Sequence, residues 1–160
     1  NVVRRKELIN ELKDLGGDEV LLDGDDLHER VYKATNGAKI RFALDALAGD
    51  APARLAQCLE YGGTVFNYGL VSKSPCEMPT WLMLNRDIRL HGFFAGNQLL
   101  EKTLEGKKAL IEELGEIIGK GEMPSKIAKT YPLKKIKDAI IHATNSGSSR
   151  DGKIILLPNT

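Results

Sequence analysis

Short β-favouring runs alternate with stretches of helical periodicity through the first two-thirds of the chain, and that alternation restricts it to a few folds. Asn1 to Arg5 reads as a strand. Lys6 to Leu15 follows as a helix, with Leu8, Ile9, Leu12 and Leu15 on one face and Gly16-Gly17 ending it. Glu19 to Leu22 predicts a second strand, Asp25 to Thr35 a helix, and Ile40 to Ala46 a third strand. Asp50-Ala51-Pro52 opens a helix that runs to about Tyr61, with the proline in the first turn, where its missing N–H costs little. Thr64 to Tyr68 and, after a proline-rich connection, Asp87 to Phe94 complete the strand pattern. Strand and helix in strict alternation predict parallel pairing through crossovers.

The last third changes character. Leu99 to Lys120 has helical spacing interrupted by Gly106, Gly115 and Gly119; Ile127 to Tyr131 reads as a strand, and Pro132 opens a helix to about Asn145. A Gly/Ser loop, NSGSSRDG, then leads into the apolar strand KIILLP, which need not belong to the same sheet. At 160 residues and 42% hydrophobic content, one domain with an appendage is the expectation.

Charge and cysteine content narrow the functional classes. With 23 basic and 22 acidic residues, no global field favours nucleic acid or an anionic membrane, so anion binding must be local. Cys58 and Cys76 form neither a disulfide framework nor a CxxC, which reads as an intracellular chain without structural zinc. No apolar run approaches the roughly 18 residues of a membrane span. His28, His91 and His142 are scattered; His91, inside an apolar strand, is expected in the core, and Cys58 as a buried small apolar side chain. Cys76 lies near Lys73 and is open to partial activation, while Lys134, Lys135 and Lys137 read as a solvated helix face. No GxSxG, P-loop or paired-carboxylate motif stands out.

In an open parallel sheet, ligands bind where the strands deliver their C-terminal ends. The first strand ends in Arg4-Arg5-Lys6, which fits either the solvated start of a surface helix or a grip on a phosphate, for which the planar guanidinium is suited. In a dinucleotide fold, cations at the end of the second strand accept the extra phosphate of NADP. The third strand ends in small residues, Asp45 to Gly49. The next ends in Tyr68-Gly69-Leu70-Val71, where the glycine permits either close approach of a ligand or a tight exit turn. Phe93 and Phe94, after His91-Gly92, fit core or interface better than ligand contacts. The GxGxxG fingerprint does not occur, so either the fold is different or a first βα unit lies outside this chain.

NVVRRKE with ELKDLGGDEVL, then YGLVSKSPCEMPTWLMLNRDIRLHGFF, then YPLKKIKDAIIHATNSGSSRDGKIILLP together resemble the medium-chain dehydrogenase/reductase superfamily. Within it they are most similar to zinc-independent 2-enoyl thioester reductases, with quinone oxidoreductases as near relatives. The resemblance runs from the family's second Rossmann strand to its C-terminus. It implies an α/β, Rossmann-like doubly wound parallel sheet lacking its first βα unit, with a C-terminal segment of a GroES-like catalytic domain. Residues 1–122 would be the partial NADP-binding domain and 123–160 the segment returning to the catalytic domain.

By that resemblance Arg4, Arg5 and Lys6 grip the 2′-phosphate of NADPH, and Tyr68, Gly69, Leu70 and Val71 form the nicotinamide-side segment. Phe93, Phe94 and Ala95 take the place of the family's Phe-Trp-Leu, and Lys153 is a lysine that reaches the cofactor. Gly69-Leu70 stands where the family has Gly-Gly, and Phe94-Ala95 where it has Trp-Leu. The family's catalytic tyrosine lies in the absent domain, and no residue here inherits its role. The implied activity is NADPH-dependent hydride transfer to an α,β-unsaturated carbonyl, foremost a 2-enoyl thioester, with NADPH:quinone reduction as the alternative. A third possibility is a non-catalytic module that dimerises through the Asp87 to Phe94 edge strand. The implied location is cytoplasmic, or the mitochondrial matrix in a eukaryote, with no nucleic-acid or membrane partner. In the 3-2-1-4-5-6 strand order, a missing first strand opens a gap in the hydrogen-bond ladder between Asn1 to Arg5 and Ile40 to Ala46. The chain is therefore expected to be part of a longer polypeptide.

Overall fold

A computed structural model describes residues 1–123, 125–144 and 152–158. The chain forms two compact units, Asn1–Gln98 and Leu99–Thr160. The 122/123 boundary expected from sequence falls inside the second of them.

In the first unit, β1 (Val2–Val3), α1 (Leu8–Asp14), β2 (Leu21–Leu22), α2 (Leu27–Ala34), β3 (Phe42–Asp45), α3 (Ala51–Gln57), β4 (Thr64–Asn67), α4 (Thr80–Arg86) and β5 (Arg89–Gly92) follow one another. α5 (Ala95–Leu100) crosses the boundary between the units. Every strand pairing is parallel, as the alternation requires. The strands are shorter than the apolar runs that encode them. The first stops at Val3, because Arg4 to Glu7 already turns into α1, with Leu8 N–H donating to the Arg5 carbonyl at 3.2 Å. Gly16, at φ 97°, ends α1 as its position suggests.

The strands form two sheets. Among the described residues β1 pairs only with β2, and β3-β4-β5 form a separate three-stranded sheet. The expected gap between the first strand and the Phe42–Asp45 strand is thus present. The core lies under the three-stranded sheet, where Ala56, Leu59, Val65, Leu82 and Ile88 cluster with Ile40, Ala43, Leu55 and Met78 packed against them. α4 was not expected; its stretch reads as a proline-rich connection. Pro79 sets the entry, only Leu82 is buried, and Asp87 closes the helix in the left-handed region at φ 48°. Seven residues with one buried position leave too little periodicity to recognise.

His91 is exposed on β5 rather than in the core, with its ring edge-on to Phe66 at 5.4 Å. β5 is an edge strand and this face of the sheet is uncovered, so its alternation places His91 in solvent.

In the second unit, α6 (Leu104–Gly119) begins at Thr103, whose hydroxyl accepts from Gly106 N–H at 3.1 Å. The three glycines do not break it. β6 (Ile127–Pro132) and β7 (Lys153–Leu157) form their own parallel pair, joined through a 3₁₀ turn at Leu133–Lys135 and α7 (Ile136–Thr144). Tyr131 is buried and its hydroxyl meets His142 Nδ1 at 3.0 Å. Lys134, Lys135 and Lys137 are solvated. Most of the NSGSSRDG loop lies outside the described residues.

Candidate functional site

The C-terminal ends of β1, β3, β4 and β5 carry the first unit's candidate residues. Arg4 and Lys6 are exposed and Arg5 is half-buried; among the described residues none of the three makes an ion pair. Cations of this kind on a strand-to-helix turn are free to meet an anion.

The β3 end is built around Asp45, which is 2% exposed. One carboxylate oxygen accepts from Leu47 N–H at 3.0 Å; the other accepts from Ala48 N–H at 2.9 Å and from Asn67 Nδ2 at 2.7 Å. Asn67 Nδ2 also donates to the Gly69 carbonyl at 2.9 Å. The loop after β3 is therefore folded back on itself and tied to the loop after β4. Ala48 and Gly49 follow in the left-handed region, at φ 62° and 63°.

The β4 exit lies along that loop. Tyr68 N–H donates to the Asp45 carbonyl at 2.8 Å, Val71 N–H to Ala46 at 3.2 Å, and Ser72 N–H to Leu47 at 2.8 Å. A Cβ on Gly69 would stand 2.5 Å from the Ala46 carbonyl oxygen, so this glycine is required by the close approach of two backbones. Tyr68, Leu70 and Val71 are left exposed, at 54%, 62% and 61%. At the β5 end, Phe93 N–H donates to the Asn67 carbonyl at 2.8 Å, and Phe93, Phe94 and Ala95 are exposed rather than in the core. The short strands end before Phe93, which leaves both rings beyond the sheet.

Arg4 and Tyr68 line one cavity of about 670 Å³. Asn67 joins the segment 68–71 to Phe93. Lys153 begins β7, in the other unit, where its N–H donates to the Lys126 carbonyl at 2.7 Å.

Asp45 and Asn67, which join the loops of the candidate site, are residues that sequence reasoning passed over. Asp45 stood in a stretch read only for its small residues. An acidic side chain at a strand's end before Ala-Leu-Ala-Gly is a recognisable turn-former, because it can accept from the N–H groups two and three residues on. Asn67 carried no comparable sign.

Below the loops, Arg54 of α3 grips Asp23, just beyond β2, through Nε at 2.9 Å and Nη2 at 2.8 Å, and Asp50 through Nη1 at 2.5 Å. These hydrogen bonds hold the guanidinium pKa above its ordinary value and the Asp50 pKa below its own. Burial pushes the Cys58 thiol up to about 11. Cys76 is also pushed up, by burial and then by the Asp45 charge, so its thiol is not activated by Lys73.

Residues 1–113 match the family model described as zinc-binding dehydrogenase. The chain belongs to the zinc-binding dehydrogenase family. It is 34% identical over 128 residues to the mitochondrial enoyl-[acyl-carrier-protein] reductase of Caenorhabditis elegans, a match that covers 77% of this chain and 36% of that protein. Among solved structures, an Etr1p variant in complex with NADP and crotonyl-CoA superposes with a TM-score of 0.75 at 18% identity, covering 91% of this chain and 44% of the other. A quinone oxidoreductase of Pseudomonas syringae gives 0.76 at 21%, covering 98% and 48%. The medium-chain dehydrogenase/reductase resemblance read from sequence is thus borne out, and the fold with it. The chain spans between about a third and a half of the length of the proteins it matches.

Among the described residues no group of three or more His, Cys, Asp or Glu side chains is placed to hold a metal ion. No helix among the described residues is long and apolar enough to cross a membrane.

Proposed function

We propose that this chain is the cofactor-binding part of an NADPH-dependent reductase that acts on α,β-unsaturated carbonyl compounds, foremost 2-enoyl thioesters. The observation that carries the reading is the set of cations Arg4, Arg5 and Lys6, without ion-pair partners among the described residues, at the end of β1 in a parallel α/β unit of this family. The names of the similar proteins agree with it: an enoyl-[acyl-carrier-protein] reductase by sequence, and a structure with NADP and crotonyl-CoA by fold.

NADPH, when bound, supplies a hydride for the β-carbon of the acceptor, while the α-carbon takes a proton. Arg4, Arg5 and Lys6 bind the 2′-phosphate through charge-assisted hydrogen bonds. The exposed row Tyr68, Gly69, Leu70 and Val71 supports the nicotinamide side, and Phe93, Phe94 and Ala95 close the same edge from β5. Lys153 is assigned a cofactor contact by the family resemblance alone. Residues 1–122 form the cofactor domain and 123–160 the return to a catalytic domain, which holds the proton-donating group. Among the described residues β5 pairs only with β4 and is exposed along its length, which leaves its outer edge for a second copy across a two-fold axis. The curated relative named above is mitochondrial, and the matrix is the proposed location in a eukaryote.

Kinetics of the full-length protein with crotonyl-CoA test the reading. NADPH is preferred over NADH, and Arg4→Ala raises the KM for NADPH roughly tenfold or more while leaving that for NADH nearly unchanged. Equal use of both cofactors, with Arg4→Ala silent, sinks the phosphate assignment. Reduction of quinones without turnover of crotonyl-CoA makes the protein a quinone reductase instead. A dimer that ignores NADPH makes it an assembly module.

A further inference from the structure

A second cavity of the first unit, of about 480 Å³, opens where β3 and β4 begin rather than where they end. Its lining comes from α2, the turn into β3, the end of α3, and Arg86 at the end of α4. Glu60, which lines it, donates its N–H to the Ile40 carbonyl at 2.8 Å, just ahead of both strands. None of the residues assigned to NADPH is among those that line it. The volume falls within the roughly 300–1,000 Å³ of small-molecule sites.

The walls are fixed by their own hydrogen bonds. Arg86 Nη1 donates to the Gln57 carbonyl at 3.3 Å and Nη2 to that of Leu59, which pins the end of α3. Gly37, at φ 73°, turns the chain back so that its N–H reaches the Tyr32 carbonyl at 2.8 Å. A Cβ on Gly37 would stand 3.0 Å from Tyr32 Cε2, so the ring lies against this turn and forms one wall. Val31, Cys58 and the buried Leu59 give the cavity an apolar lining.

Two lysines set its charge. Glu29 stands four residues before Lys33, the order and spacing that favour an ion pair on a helix. Asp26–Arg30 and Asp50–Arg54 pair at that spacing, at 2.8 and 2.5 Å. Among the described residues Lys33 forms no ion pair, and neither does Lys39; both line the cavity. Of the two acids there, Glu60 is neutralised by Arg41 at 3.2 Å, which leaves Glu29 alone against the lysines and Arg86. An apolar lining under a cationic rim suits an organic anion and leaves a neutral polar molecule or a cation poorly matched. We propose that this cavity is a second ligand site, for a small carboxylate with an apolar body. Lys33 and Lys39 hold the carboxylate, and the body lies against Val31, Leu59 and the Tyr32 ring. The site goes beyond the cofactor reading and does not depend on it.

Calorimetry of the full-length protein with hydrocinnamate, with and without NADPH, tests the proposal. We expect one probe per chain at the same affinity in both cases. Bound probe is expected to protect Lys33 and Lys39, and not the exposed Lys13 of α1, from acetylation by an N-hydroxysuccinimide ester, as read by peptide mass spectrometry. A variant carrying Lys33→Ala and Lys39→Ala is expected to keep the parent unfolding midpoint and to bind about tenfold more weakly. The neutral hydrocinnamamide is expected to lose affinity by about the same factor. Equal binding of acid and amide overturns the proposal in favour of an apolar hollow. Displacement of the probe by NADPH, or acetylation of Lys33 and Lys39 at an unchanged rate with probe bound, assigns the binding elsewhere and also overturns it. So does the absence of heat and of protection at about 10 mM probe.

Discussion

Asn67 Nδ2 lies 2.7 Å from a carboxylate oxygen of Asp45, and with the Val71 and Ser72 backbone bonds this contact ties the loops after two adjacent parallel strands into a single surface. Asp45 is almost fully buried, and its negative charge is balanced by dipoles alone: two backbone N–H groups and one amide. Such a charge is held only where every donor is in place. The loops it joins carry Tyr68 to Val71, and Asn67 also accepts from Phe93 N–H through its backbone carbonyl. The pair thus shapes the loops of the proposed nicotinamide side.

Asp45→Ala strands two backbone N–H groups and leaves the Asn67 amide without its carboxylate acceptor. We expect a loss of about 2–3 kcal/mol in stability, read from the urea unfolding midpoint. Asp45→Asn keeps an acceptor oxygen and is expected to lose roughly half as much. If the two variants unfold together with the parent chain, the carboxylate is not the joint.

Gly69→Ala tests the same joint from the other loop. A methyl group there meets the Ala46 carbonyl oxygen at 2.5 Å, and neither backbone can move without breaking the Val71 and Ser72 bonds. The expected cost is about 1–3 kcal/mol, with weakened NADPH binding in the full-length protein. An unchanged unfolding midpoint, with unchanged affinity, contradicts this.

Helix and strand order was legible wherever a start or stop signal brackets an element, as with the Asp25-Asp26 start of α2 and Gly62-Gly63 before the Thr64–Asn67 strand. α4 was not, because it follows directly on a proline-containing connection. Its sequence, TWLMLNR, looks like any apolar connection. The gap between β1 and β3 was legible because strand order is a topological rule and needs no side-chain detail. The site divides along similar lines. Arg4, Arg5 and Lys6 announce themselves by charge at a strand end, whereas the Asp45–Asn67 joint joins residues 22 positions apart and exists only once β3 and β4 are in register. His91 was misplaced for a related reason: an apolar strand reads as buried, but this sheet face is uncovered.

Acid pH weakens the α3 anchor in a defined direction. Arg54 holds the Asp50 carboxyl below its ordinary value of 3.8, first by hydrogen bonding and then by charge. A depressed folded-state pKa contributes stability that is present above 3.8 and lost as pH falls through the folded value. Asp50 is exposed, so the contribution is small and screened by salt. We expect Asp50→Asn to lower the unfolding midpoint equally at pH 5 and 7, and the difference from the parent chain to shrink below pH 3.8 and in high salt. A difference that persists at pH 2 in a folded chain means the residue acts through packing.

Cys58 provides a chemical check on the packing beneath the loops. It caps α3, its Sγ lies 3.4 Å from the Arg54 carbonyl, and burial raises its pKa to about 11. At pH 8 only about one thiol in a thousand is then ionised, and alkylation requires the thiolate. Iodoacetamide at that pH is expected to leave Cys58 unmodified in the folded chain and to label it fully in urea, as read by peptide mass spectrometry. Cys58 also lines the cavity shared by Arg4 and Tyr68. Rapid labelling of Cys58 at pH 8 shows that the wall formed by α3 opens in solution.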